Sequence, residues 1–199
     1  MAKLENKVLR QAQDKAPRDH KTTGEYQKKG LILVNTGDGK GKSTAAFGTA
    51  IRALGRGYKV ALVQFIKGKW KTGEEKSFKM FGDQFHHFVM GDGFTWDTQN
   101  FKKDVEAALK AWEKCKELLH DKEHQVVIFD EINYVMKYNF LNPSDIVREL
   151  KSKPPLKHVI LTGGGAPPEL IEAADLVTEM KCIKHPYHKG IKAQPGIEY

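Results

Sequence analysis

Leu31-Ile32-Leu33-Val34-Asn35-Thr36-Gly37-Asp38-Gly39-Lys40-Gly41-Lys42-Ser43-Thr44 is the stretch on which the fold turns. Four apolar residues in a row, Leu31 to Val34, read as a strand covered on both faces, as in a parallel sheet. From Ser43 to about Leu54 apolar residues recur at helical spacing, and Gly55 and Gly57 end that helix. The turn between them carries Gly37, Gly39 and Gly41, which let the backbone curl until successive N–H groups point inward at an anion. The helix N-terminus adds partial positive charge, Lys42 adds a full one, and Ser43 offers a hydroxyl to Mg²⁺. Gly37, Asp38, Gly39, Lys40, Gly41, Lys42, Ser43 and Thr44 are therefore the candidate nucleotide-binding residues. The spacing departs from the usual phosphate loop, which has a glycine, four residues, then Gly-Lys. Counting back from Gly41 lands on Thr36, so the first glycine comes one position late.

The same alternation continues outward. Residues 59–66 read as a second strand, 67–82 as loop plus a short helix, and 84–90 as a third strand. Residues 91–100 read as a loop, and 101–119 as a long amphipathic helix with Trp112 and Cys115 on its buried face. Residues 126–129 form a strand ending in Asp130-Glu131. A helix opens at Pro143 with Ser144 as its cap, followed by a strand at 158–161 and a glycine turn at 163–165. A short helix at 167–174, a last strand at 176–180 and an irregular basic tail complete the chain. Strands alternating with helices predict a single α/β domain, P-loop NTPase-like, with a mainly parallel sheet and helices on both faces. That domain spans 30–199, and the polar, lysine-rich residues 1–29 read as a mobile N-terminal arm.

Composition limits the function classes. With 40% hydrophobic and 29% charged residues, the 199-residue chain has the balance of a soluble globular protein. No apolar run approaches the about 20 residues of a membrane helix, and the N-terminus lacks a secretory h-region. Two cysteines exclude a disulfide framework and fit a cytoplasmic setting. The net charge of +8 attracts polyanions, but only five residues are Arg, which fits diffuse phosphate attraction better than specific nucleic-acid reading.

A second signal is Asp130-Glu131 at the end of an apolar strand. Carboxylates at the C-terminal end of a central parallel strand land beside a phosphate loop, where they hold Mg²⁺ directly or through water. Ser43, Asp130 and Glu131 are thus the candidate metal residues. A Mg-nucleotide cradle serves phosphoryl transfer, hydrolysis-driven switching or simple anchoring of ATP, and the loop alone does not choose. Phe94 and Trp96 flank Thr95 in a glycine-bounded loop; they either tuck into the core or form a platform for a planar ligand. Cys182, His185 and His188 have ligand-like spacing without an evident fourth ligand. His86 and His87, adjacent in a strand, point to opposite faces and do not chelate one ion together.

Six segments together resemble the ATP:corrinoid adenosyltransferases of cobalamin synthesis and salvage. They are residues 36–47 (TGDGKGKSTAAF), 64–68 (QFIKG), 93–100 (GFTWDTQN), 127–134 (VIFDEINY), 174–178 (ADLVT) and 184–199 (KHPYHKGIKAQPGIEY). The resemblance implies transfer of the 5′-deoxyadenosyl group of ATP to a corrinoid Co(I), with release of triphosphate, by a homodimer. An electron-donating reductase, such as a flavoprotein, would supply Co(I). The resemblance further implies that ATP lies reversed relative to ordinary P-loop enzymes, with Lys42 stabilising the departing triphosphate. Phe94 and Trp96 would keep the lower face of the corrin free of an axial ligand, and the N-terminal arm would fold over the corrinoid. Two departures stand out: Asp38 stands where the resemblance implies Asn, with adjacent Lys40 to offset its charge, and Gly164 stands where it implies Arg after Leu161-Thr-Gly163.

Overall fold

The computed structural model describes residues 28–66, 72–91 and 101–198. Six strands form one sheet: β1 (Ile32–Thr36), β2 (Val60–Gln64), β3 (Phe85–Val89), β4 (Val126–Asp130), β5 (His158–Thr162) and β6 (Leu176–Glu179). Their order across the sheet is β3-β2-β4-β5-β1-β6, and every pairing is parallel. The helices are α1 (Lys42–Leu54), α2 (Gly73–Phe78), α3 (Phe101–His120), α4 (Ile132–Lys137), α5 (Pro143–Ser152) and α6 (Pro168–Ala173), with 3₁₀ turns at Lys79–Gln84 and Pro186–Lys189.

The alternation of side chains along each strand divides the core in two. Val34, Ala61, Val63, Val127, Phe129, Val159 and Leu161 face α3, α4 and α5. Val60, Leu62, Val126, Ile128 and Ile160 face α1 and the Phe78–Phe85 stack. Burial on both faces is why these strands are apolar without a polar alternate. Trp112 and Cys115 lie on the buried face of α3, and Trp112 meets Phe129 edge-on at 6.2 Å.

Two local expectations change. The cap of α5 is Asn142, whose side chain accepts the Ser144 amide; Pro143 takes the first helical position, so Ser144 lies inside the first turn. The six-residue α4 is absent from the sequence reading. It follows Glu131, a non-glycine residue at φ 65°, and that left-handed step lets a helix start directly after β4 with no loop. Residues 1–27, most of the expected arm, lie outside the described residues, as does the loop that carries Phe94 and Trp96. Within them, Lys29 pairs with Asp175, and Asp175 also accepts the Ile32 amide, which ties the entry of β1 to the entry of β6.

Candidate active site

Parallel strands put all their C-terminal ends on one edge, where ligands of open α/β sheets bind. Register places Asn35 beside Thr162, Gln64 beside Asp130 and Thr36 beside Glu179. The loop after β1, the β4–α4 step, the glycine turn after β5 and the chain leaving β6 therefore meet. They bound an open cleft of about 570 Å³, lined by residues that include Gly37, Asp38, Tyr134, Lys137, Gly164 and Lys181.

The glycines of the first loop are there for two reasons. Gly37 and Gly41 adopt φ 98° and 105°, a region that costs other residues energy. Gly37 and Gly39 also press against the backbone after β6: a Cβ on Gly37 would lie 2.3 Å from the Met180 carbonyl oxygen, and one on Gly39 2.7 Å from the Lys181 carbonyl carbon. The Met180 amide donates to Thr36 O (2.8 Å) and the Gly39 amide to Met180 O (2.7 Å), so the curl is pinned to the neighbouring strand. The Lys42 ammonium folds back onto the Gly39 carbonyl at 2.6 Å, a polar contact that an anion can take over. Ser43 and Thr44 lie in the first turn of α1. Asp38 accepts the Cys182 amide at 3.2 Å. Lys40 pairs with Glu198 of the tail, so the cation expected to offset Asp38 is engaged elsewhere.

The two acids differ in their partners. Asp130 is 3% exposed and accepts from the Thr162 hydroxyl (2.7 Å) and from Gln64 Nε2 (2.9 Å). Thr162 Oγ1 in turn accepts the Glu131 amide at 3.0 Å, which anchors the left-handed step. Glu131 Oε2 is buried and has no hydrogen-bond partner among the described residues. Burial, then the adjacent Asp130, raises its carboxyl from 4.5 to about 7, with Lys42 pulling in the opposite direction. A buried carboxylate oxygen left unpaired beside a phosphate-type loop has the donor chemistry of a Mg²⁺ ligand.

The turn after β5 is closely packed against α4. A Cβ on Gly164 would sit 2.9 Å from the Tyr134 hydroxyl oxygen, and the Gly164 amide donates to that oxygen. The aliphatic stem of Lys137 lies over Gly165, 3.0 Å from where a Cβ would stand. Tyr134 and Lys137, both from α4, thus fill this corner; Lys137 and Lys181 are the cations among the lining residues of the cleft, while the Lys42 ammonium sits on the Gly39 carbonyl. Sequence reading overlooked Lys137 because nothing predicted α4, although the two successive glycines at 164 and 165 were a sign of a neighbour pressing in.

The family model described as ATP:corrinoid adenosyltransferase BtuR/CobO/CobP matches residues 28–199. The chain belongs to the ATP:corrinoid adenosyltransferase family. It is 49% identical to a corrinoid adenosyltransferase of Sinorhizobium sp. over 194 residues, covering 96% of this chain and 91% of that protein. It is 43% identical to the corrinoid adenosyltransferase of Escherichia coli over 190 residues, covering 96% of each. Among solved structures it is similar to the flagellar accessory protein FlaH from Methanocaldococcus jannaschii, at a TM-score of 0.47 and 18% identity, covering 82% of this chain and 77% of that one. Membership accounts for a nucleotide cradle in a chain of this family. No helix among the described residues is long and apolar enough to cross a membrane.

Proposed function

We propose that the cleft holds ATP by its triphosphate and presents the ribose C5′ to a corrinoid Co(I), so that triphosphate is the leaving group. As a member of its family the chain is an ATP-dependent corrinoid adenosyltransferase of cobalamin synthesis and salvage. The observation that carries the finer reading is one juxtaposition: the glycine cradle, Lys42 and the unpartnered Glu131 oxygen meet at one end of the sheet.

In the step itself the C5′–O bond breaks, with its electron pair going to the triphosphate oxygen. Co(I) supplies both electrons of the new Co–C bond and becomes Co(III). So strong a nucleophile needs no protein base, and the residues of the cleft supply position and charge instead. The loop amides other than that of Gly39, which stays on Met180, and the Lys42 ammonium take the phosphate oxygens, Lys42 exchanging the Gly39 carbonyl for one of them. Mg²⁺, when bound, neutralises charge on the departing triphosphate. Ser43 and Glu131 would hold it, while Asp130, engaged by Thr162 and Gln64, acts from behind or through a water. Lys137 and Lys181 reinforce the anionic end of the site. Phe94 and Trp96 would cover the lower face of the corrin and exclude an axial donor, which eases reduction of Co(II). In the same reading the chain works as a cytoplasmic homodimer, residues 1–29 close over the corrinoid, and a separate reductase, such as a flavoprotein, delivers the electron.

The test is anaerobic incubation of the protein with chemically reduced cob(I)alamin and Mg-ATP. A light-sensitive adenosylated corrinoid that forms only with ATP is the expected product. ADP with no alkylated corrinoid would instead indicate an ATPase or kinase.

A further inference from the structure

A second constellation lies at the opposite, N-terminal edge of the sheet. His86 is the second residue of β3, in register with Ala61 at the start of β2. His124 stands in the turn between α3 and β4 and is 4% exposed. His86 Nδ1 and His124 Nε2 are 2.6 Å apart. Together with a carboxylate oxygen of Glu123 they form the group of three His, Cys, Asp or Glu ligand atoms that lie within 4.8 Å of one another among the described residues. Cys182, His185 and His188 form no such group there.

Three features favour a cation over a plain hydrogen bond. First, Asp121 Oδ2 accepts from His124 Nδ1 at 2.6 Å, which fixes the proton on Nδ1 and leaves the Nε2 lone pair aimed at His86. A carboxylate behind a ligating imidazole is the usual outer-shell support of a bound metal. Second, Asp121 is itself held: Lys157, 5% exposed, donates to its Oδ1 at 2.8 Å, and the amides of Glu123 and His124 donate to the same oxygen. The turn is therefore rigid before any ion arrives. Third, two imidazoles and a carboxylate are a donor set of the zinc class, with the fourth position left to water. Lys59 currently pairs with Glu123 Oε1 at 2.8 Å, and the ion would compete with that ammonium. The rings must part slightly, since two nitrogens on one tetrahedral ion stand about 3.3 Å apart at ordinary Zn–N lengths. His86 is only half-buried and has room to give.

We propose that His86, Glu123 and His124 form a structural binding site for a zinc-class divalent ion, distant from the nucleotide cleft. The ion ties edge strand β3, which is hydrogen-bonded to β2 alone within the sheet, to the α3–β4 turn. On binding, the His86 Nδ1 proton moves to Nε2 and the ring stays neutral.

The test uses the untagged full-length chain and Zn²⁺ alone, with Co²⁺ as the spectroscopic substitute. One equivalent of Zn²⁺ is expected to bind, to raise the thermal midpoint by several degrees, and to displace Co²⁺ showing four-coordinate visible bands. His86→Ala, checked for native circular dichroism, should weaken binding at least tenfold, and Glu123→Gln severalfold. A Cys182→Ser, His185→Ala, His188→Ala variant should bind as the parent does. No saturable binding at 100 µM Zn²⁺, undiminished binding in His86→Ala, or loss of binding in the tail variant would each overturn the proposal.

Discussion

Replacing Glu131 with Gln is expected to stabilise the nucleotide-free protein at alkaline pH while disabling it as an enzyme. In the folded chain Glu131 holds its proton up to about pH 7, because burial and Asp130 oppose its ionisation. In the unfolded chain it ionises near 4.5. Between those values the unfolded chain has lost a proton that the folded chain keeps, so stability falls as pH rises through that window. Below 4.5 there is no penalty, and above 7 it is complete. At about 1.4 kcal/mol per pH unit the gap comes to a ceiling of about 3 kcal/mol, and solvent entering the open cleft reduces it to about 2 kcal/mol. Gln cannot ionise, so the variant escapes the penalty. The assay is urea denaturation of both proteins at pH 5 and pH 8, without nucleotide or metal. Any packing cost of Gln is the same at both pH values and cancels in the comparison. The variant should gain about 2 kcal/mol on the parent between pH 5 and pH 8, while its turnover falls at least tenfold. A stability difference that does not change with pH, or a variant with undiminished turnover, would refute the reasoning.

Lys42→Ala should abolish turnover by removing the cation over the cradle, as read by corrinoid adenosylation; unchanged turnover would remove Lys42 from the mechanism. Gly37→Ala forces a left-handed alanine against the Met180 carbonyl, which lies 2.3 Å from the new carbon. Strain and the two lost loop hydrogen bonds should cost about 3 kcal/mol in denaturant titration and most of the nucleotide affinity. Trp112→Ala should cost about 3–5 kcal/mol in the same titration, because its buried ring packs edge-on against Phe129 in the core. Trp96→Ala should slow reactions started from Co(II) more than those started from prereduced Co(I); equal losses would argue against exclusion of an axial ligand.

How much was legible beforehand follows from the kind of signal. Strands buried on both faces announce themselves as unbroken apolar runs, so β1, β2, β4 and β5 fell within a residue or two of their expected bounds. The loop was legible because glycines at left-handed positions cannot be replaced cheaply, and Gly37 and Gly41 occupy such positions. Helix α4 was not legible, since its start depends on one left-handed glutamate held by Thr162, a residue 31 positions away. The roles of Tyr134 and Lys137 were hidden with it. That Glu131 rather than Asp130 has the unpaired oxygen also depends on distant partners, Thr162 and Gln64, which no local pattern specifies.

The most direct measurement of the central claim is ³¹P NMR of the phosphate product during a single turnover with cob(I)alamin and Mg-ATP. Attack at C5′ predicts intact triphosphate in a one-to-one ratio with adenosylated corrinoid. ADP and orthophosphate accumulating in that ratio would mean that the terminal phosphorus, and not the sugar carbon, is the atom attacked.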